Sequence, residues 1–335
     1  MLHGKIPPDA LKSRVFKHLG TGHPSIILGP ALGQDASLIR IGDRIIVAST
    51  DPITGSVEDI GWLAVHVNAN DIATFGVEPK WFLNSIMLPT GSTEEDLEKI
   101  MIQIDEAARS LGITVAGGHT EVTDEIQKPI IAGFMIGETT DDNYVTSEGA
   151  QPGDALIMTK SVAIEGTAIL ASEGHDFLRN ELGYQLLDEA IALRNQISVV
   201  MDGITAFKTG FVTAMHDPTE GGLANGIHEI CDASKVGCSI VQEQIPVEES
   251  TRALCQLLEI DPLQLISSGT MLITCEARNA QKILDALRHN GIEAAVIGTI
   301  EKDFTKRIIS LQEKESTLIR PETDALWDGL KRITS

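Results

Sequence analysis

The chain has 335 residues, 42% of them hydrophobic, and a formal net charge of −22. Its length exceeds one usual core and predicts two domains. The acidity argues against nucleic acid as a partner, because phosphate backbones are held by clustered Lys and Arg, and no apolar run approaches the ~20 residues of a membrane span. The N-terminus lacks the basic segment, apolar stretch and small-residue cleavage site of a signal peptide, so a cytoplasmic protein is expected. The four cysteines (Cys231, Cys238, Cys255, Cys275) show no CxxC spacing; they read as small core residues rather than a zinc site or a disulfide framework.

Short strands are predicted at 25–28, 36–41 and 44–50, with Gly42-Asp43 turning the last two into a hairpin. Residues 58–76 read as a helix: Ile60, Leu63, Ala64 and Val67 keep the i, i+3, i+4, i+7 spacing, and Gly76 and Pro79 end it. A strand follows at 81–88. Ser92 and Glu95, in capping-box spacing, open a helix that runs to Leu111 and stops at Gly112. Residues 113–116 and 130–136 are strands.

The composition turns polar over 139–153, and the domain boundary is placed there, giving domains 1–150 and 151–335. The second half carries strands at 155–159, 240–241, 269–275 and 294–300, and helices at 165–173, 184–200, 221–232 and 279–290. No internal repeat is evident. Each half mixes strands and helices, and the hairpin signals favour an α+β protein over a doubly wound one.

The most telling feature is a series of short polar turns rich in Gly and Asp, each beside an apolar run. Asp35 follows the glycine-containing segment 29–34, which includes Gly33. It reads as a metal carboxylate on a nucleotide-covering loop, or as a turn Asp bonding its own backbone. Asp51 closes the apolar run 45–48, where a turn role is equally open. Asn68 and Asp71 lie three apart on one face of an otherwise apolar helix. Polar groups placed there cost stability unless they are bonded or bind something, so a ligand role and internal helix-to-backbone bonds are the two readings.

Gly117-Gly118-His119-Thr120-Glu121 reads as a turn after a strand. Its paired glycines permit close approach of a ligand; Glu121 is a candidate metal ligand and His119 a candidate proton-transfer group. In the stretch 215–224, Asp217 reads as a helix cap, Pro218 as a first-turn residue and Glu220 as the capping-box partner. Gly221 and Gly222 exceed what a helix start needs and suggest close packing on a ligand or another backbone. Carboxylates converging on one cleft suit Mg²⁺ and a substrate phosphate, although P-loop, GxGxxG and HExxH patterns are absent.

In this order the segments resemble the aminoimidazole ribonucleotide (AIR) synthetase superfamily, over nearly the whole chain. The stretch 68–79 resembles its Asn-Asp helix and 117–121 its central Gly-Gly turn. Residues 215–223, with Ile245-Pro246-Val247 and Asp261-Pro262-Leu263, resemble most closely the hydrogenase-maturation (HypE) branch. The resemblance implies an N-terminal domain that pairs across a homodimer into a β-barrel, a C-terminal α/β sandwich domain, and ATP bound near the dimer interface. Asp35, Asp51, Asp71 and Glu121 would carry Mg²⁺ and phosphate, and Asn68, Gly33, Gly117, Gly118 and Thr120 would contact the cofactor. Gly221, Gly222, Asp217 and Glu220 would line the cleft from the second domain, with His119, Asp217 and Glu220 as catalytic candidates.

The chain departs from the HypE branch at position 119, His rather than Asp, and at position 121, Glu rather than Lys. It also ends in Lys331-Arg332-Ile333-Thr334-Ser335, without the terminal Cys on which that branch carries its substrate. The Gly-Gly-His-Thr segment is similar to selenophosphate synthetase, but no reactive N-terminal Cys accompanies it. The expected activity is therefore ATP- and Mg²⁺-dependent activation of a carbonyl or amide oxygen, or phosphate transfer, on a different small-molecule acceptor. A non-catalytic nucleotide-binding partner in a maturation complex, and a small-molecule kinase like thiamine-monophosphate kinase, are the alternatives.

Overall fold

The computed structural model describes residues 4–54, 58–140 and 143–334, which divide into two compact units. The first comprises His23–Gly29 and Asp35–Tyr144. The second comprises the chain from Val145 onward, together with Pro30–Gln34 and the described part of Met1–Gly22. The chain returns to the second unit at Val145.

The first unit is built on a six-stranded sheet: β1 (Ile26–Leu28), β2 (Ser37–Ile41), β3 (Arg44–Ile53), β4 (Pro79–Pro89), β5 (Thr114–Thr123) and β6 (Ile130–Thr140), in the order β1-β2-β3-β6-β4-β5. The expected β2–β3 hairpin is present, with Ile41 opposite Arg44. Only β4 and β5 run parallel, as the helical crossover between them requires. The helix Ile60–Ala73 lies against β3 and β6 and beneath a second helix, Glu94–Leu111. Sheet on one side and helix on the other explain why it is apolar almost all round. The outer helix buries only the stripe Ile100, Ile104, Ala107 and Ala108.

Two local expectations change. The outer helix is capped one residue later than the Ser92/Glu95 spacing suggests. The Thr93 hydroxyl accepts the Asp96 N–H at 3.2 Å, and the Asp96 carboxylate accepts the Thr93 N–H at 2.8 Å. Ser92 instead donates to the Pro89 carbonyl at 2.9 Å, closing the turn after β4. Residues 117–121 are not a turn: β5 runs through them, paired with β4 from Leu83↔Gly117 to Met87↔Glu121 past a bulge at Phe82/Leu83. The double glycine serves the sheet, since a Cβ on Gly118 would stand 2.5 Å from the Asn84 carbonyl oxygen.

The second unit holds a seven-stranded sheet of β7 (Asp154–Thr159), β8 (Val212–His216), β9 (Gly237–Val241), β10 (Leu272–Glu276), β11 (Ala294–Glu301), β12 (Arg307–Leu311) and β13 (Lys314–Thr317), ordered β13-β12-β9-β11-β7-β10-β8. β9 and β12 are parallel; the other pairs are antiparallel. Strand side chains alternate between faces, and β7 is buried on both. Leu156 and Met158 enter one core with Leu170, Leu187, Leu223 and Leu254; Ala155 and Ile157 enter the other with Val199, Ala206, Ile283 and Leu287. Helices thus cover both faces of the sheet, as the sandwich architecture requires.

The two cores also explain why the helix expected over 184–200 breaks. Tyr184–Ala192 belongs to the first core and Val200–Lys208 to the second, so the chain must cross between them. At the crossing the Lys160 ammonium takes the carbonyls of Gln196 (3.1 Å) and Ser198 (2.6 Å). All four cysteines are buried free thiols. No helix among the described residues is long and apolar enough to cross a membrane.

Candidate functional site

In the first unit, the Asn-Asp helix presents its polar residues to the sheet. β2 begins at Ser37 opposite Ala48, so β3 beyond Ala48 has β6 as its neighbour on one side only. The Asn68 carboxamide supplies the missing partners. Its Oδ1 accepts the Asp51 N–H at 2.9 Å, and its Nδ2 donates to the Asp51 carbonyl at 3.2 Å and to Ala64 O at 2.9 Å. Ser49 adds a hydroxyl bond to the Asn68 carbonyl at 3.3 Å. Asn68 is wholly buried, and its amide fixes the backbone that carries Asp51.

Asp71, one helical turn further on, is also buried; its carbonyl accepts the Thr74 hydroxyl at 2.7 Å. Asp35 lies in the lead-in to β2 and is half-buried, like Asp51. His119, Thr120 and Glu121 stand exposed on β5, the outermost strand, where His119 Nε2 lies 3.2 Å from Glu121 Oε2. No three of Asp35, Asp51, Asp71 and Glu121 bring carboxylate oxygens within 4.8 Å of one another among the described residues. The donor set is all oxygen, which suits a hard cation.

In the second unit, β8 ends at His216 and runs into the Asp217-to-Gly222 loop. The helix that follows starts later than the sequence suggests: it spans Gly222–Ser234, with Gly221 as its N-cap at φ +79°. Asp217 does not cap it. The cap comes from far along the chain, where the Asp324 carboxylate accepts the Gly221 N–H at 2.6 Å, together with Ile266 N–H at 3.2 Å and Leu326 N–H at 2.7 Å. Burial raises the Asp324 pKa to about 6, partly offset by these three N–H groups.

Gly222 has φ +62°, and a Cβ there would meet Leu265 O at 2.5 Å and Leu263 O at 2.7 Å. The surplus glycine therefore seats the loop on the segment after Asp261-Pro262. Gly33 is likewise used in packing, with its Cα against the Glu229 carbonyl of the helix, where a Cβ would come within 2.7 Å.

Glu220 accepts the Lys5 N–H, and the Lys5 ammonium donates to Thr219 Oγ1 at 2.9 Å. Asp217 and His216 are buried. His216 Nε2 lies 3.0 Å from Glu229 Oε2. Burial alone would raise the Glu229 pKa, but Lys5, His216 and Arg320 outweigh it and hold the group at about 2. Asp324, which anchors the loop, and the buried Glu165 were not anticipated from the sequence. Glu165 carried a signal, as the sole charge between Val162 and Ser172; Asp324 carried none.

Two sheets, one per unit, with a buried Asn-Asp helix in the first and a glycine loop in the second, are the features of an AIR synthase related protein, and the chain belongs to that family. The family's N-terminal domain matches residues 33–139 and its C-terminal domain residues 151–310. Among curated relatives, a hydrogenase expression/formation protein of Methanocaldococcus jannaschii is 31% identical over 316 residues, 91% of each chain. The carbamoyl dehydratase HypE of Azotobacter vinelandii is 32% identical over 281 residues, 81% of this chain and 79% of that one. Among solved structures, a hydrogenase maturation protein HypE in complex with ATP superposes with a TM-score of 0.72 at 25% identity, covering 97% of both chains.

Proposed function

We propose that this chain is an ATP- and Mg²⁺-dependent enzyme that phosphorylates a carbonyl or amide oxygen, or transfers phosphate, on a small acceptor. The observation that carries the reading is full-length similarity to an ATP-bound relative, joined to a buried Asp71 on the helix that braces Asp51. Asp35, Asp51, Asp71 and Glu121 would hold Mg²⁺ and the phosphates. Gly33, Gly117, Gly118 and Thr120 would lie along the nucleotide, and Gly221 and Gly222 would shape the acceptor side. ATP with its metal would supply the phosphoryl group and neutralise its charge, leaving the protein to position the reactants. His119, with Glu121 beside it, is the proton-transfer candidate of the first unit; Asp217 and Glu220 are those of the second. Asn68 acts as a positioning residue through Asp51.

The four cysteines are buried, which favours an acceptor carried on another molecule over a thiol of this domain. The relatives' names support a role in hydrogenase maturation, and a maturation protein as partner belongs to that reading. The first sheet leaves apolar side chains such as Trp81, Val115, Val122 and Phe134 exposed. A surface of this kind favours a second copy as its cover and supports the homodimer; light scattering of the purified chain tests it.

The central test is calorimetric titration with ATP, in Mg²⁺ and again in EDTA. Metal-dependent binding, followed by ADP release that depends on one added acceptor, is the expected result. Binding without turnover in the presence of partner extracts would favour the non-catalytic alternative. No binding in either condition would remove the nucleotide site.

A further inference from the structure

Residues 4–22 belong to the second unit, yet none of them is buried. The short helical turns Pro8–Ala10 and Leu11–Val15 bond their own backbone, with Leu11 N–H on Pro7 O at 3.1 Å and Phe16 N–H on Leu11 O at 3.0 Å. The segment therefore adds little to either core. Its tip, by contrast, is fixed at several points on the 217–222 loop, the loop assigned above to the acceptor side.

The contacts are of two kinds. The Lys5 backbone N–H donates to Glu220 Oε2. The Lys5 ammonium donates to Thr219 Oγ1 at 2.9 Å and lies 3.7 Å from Glu229 Oε1, and Glu229 is the carboxylate that meets His216 at the end of β8. One residue thus ties two side chains of the loop to the helix that follows it. Gly4 makes this seat possible. Its φ of +99° lies in the region that favours glycine, and a Cβ there would stand 2.8 Å from Glu220 Oε2. A larger residue would drive that carboxylate off the Lys5 N–H. The loop has a backbone frame of its own in the Thr219 carbonyl, which accepts Gly222 N–H at 3.0 Å and Ser267 N–H at 3.3 Å. The N-terminal residues hold the side chains that this frame carries. A segment that merely lay on the surface would need neither these contacts nor a conformation that favours glycine.

We propose that Gly4 and Lys5 are positioning residues of the acceptor-side loop: the N-terminal segment is a clip that holds the Glu220 carboxylate and the Thr219 hydroxyl in one arrangement for the acceptor. The proposal rests on the reading of this loop as the acceptor side and of Glu220 as a proton-transfer group. The clip works through charge as well as shape. Lys5 is among the cations that keep Glu229 ionised against its burial. Its own side chain is half exposed, where salt screens a charge, so the clip should loosen as ionic strength rises.

The test is amide hydrogen exchange of the whole chain, followed by mass spectrometry on peptides covering 217–222, since exchange reports local opening. In Lys5→Met the loop should exchange about tenfold faster, the scale of one lost bond to a charged group, and the salt dependence should vanish. Lys5→Arg keeps the charge and the donors and should restore wild-type exchange. Gly4→Ala should speed exchange with the ammonium still in place. Peptides from β7 should exchange at the wild-type rate in all three variants, which separates a loosened clip from a destabilised domain. ADP release from ATP and Mg²⁺, with water as the acceptor, is followed alongside. Its kcat should fall in Lys5→Met and Gly4→Ala and recover in Lys5→Arg, at an unchanged KM for ATP; if the wild type releases no ADP, exchange alone decides. Wild-type loop exchange in both Lys5→Met and Gly4→Ala overturns the proposal. So does equal loosening in Lys5→Arg and Lys5→Met, or a loosened loop with unchanged kcat. ATP is titrated into the same samples: binding with an unresponsive loop removes this inference alone, whereas a responsive loop without ATP binding removes the nucleotide reading alone.

Discussion

Asn68 holds Asp51 by both backbone atoms: the Asp51 N–H donates to Asn68 Oδ1 at 2.9 Å, and Asn68 Nδ2 donates back to the Asp51 carbonyl at 3.2 Å. A helix side chain thus takes the place of a neighbouring strand beyond Ala48, where β2 does not reach. Asn68→Ala removes both bonds to Asp51 and should lower stability by about 2 kcal/mol, read by urea denaturation. Asn68→Asp keeps the acceptor, loses both donated bonds and should fall between the two. A wild-type urea midpoint for the alanine variant would show that water replaces the clamp without loss.

Asp71→Asn removes one charge from the proposed metal site at nearly constant shape. Nucleotide turnover on the true acceptor should fall at least about a hundredfold, the usual loss when one electrostatic group of a phosphoryl-transfer site is removed. The thermal midpoint should change little. Turnover at the wild-type rate would mean that Asp71 is not part of the site.

Gly222 and Gly210 make a matched pair. Both have positive φ, +62° and +74°, but a Cβ at Gly210 enters open space, whereas one at Gly222 meets the carbonyls of Leu263 and Leu265. Gly210→Ala should cost the left-handed penalty alone, ~1–2 kcal/mol. Gly222→Ala should add an overpacking cost of ~1–3 kcal/mol. Equal melting shifts for the two variants would rule out the close approach.

Two acids of the second unit give opposite pH dependences. Glu165 has its pKa raised from 4.5 to about 7, chiefly by burial. Its folded form binds the proton more tightly than its unfolded form, so its contribution to stability is complete below 4.5 and is lost as pH rises through 7. Asp324, raised to about 6, acts in the same sense. Glu229 is depressed to about 2: burial opposes this, but Lys5, His216 and Arg320 prevail. Its contribution is complete above 4.5 and is lost as pH falls toward 2. Glu165→Gln should flatten the upper limb by roughly 3 kcal/mol, at 1.36 kcal/mol per pKa unit, and Glu229→Gln the lower one. Chemical denaturation across pH measures both.

Much of this could be read before any coordinates. Asn68 and Asp71 stood out because polar groups on an apolar helix demand partners, and the first hairpin followed from Gly42-Asp43. Other features could not be read, because they depend on where distant segments meet. Asp324 caps a helix 103 residues away, and local spacing cannot reveal that. Gly117-Gly118 suggested a turn because glycine permits one, but pairing with β4 extends the strand through both. Thr93/Asp96 and Ser92/Glu95 have the same spacing, and the choice between them was made by the Pro89 carbonyl, which takes the Ser92 hydroxyl.

The contact of Gly222 with Leu263 and Leu265 also bears on how chimeras of this chain can be made. The 217–222 loop is seated on those carbonyls and anchored by the Asp324 carboxylate. Transplanting the loop alone between relatives would set it on a foreign floor. A graft of the loop would have to move three separate stretches of chain as one part: the loop, the segment around 261–266, and Asp324.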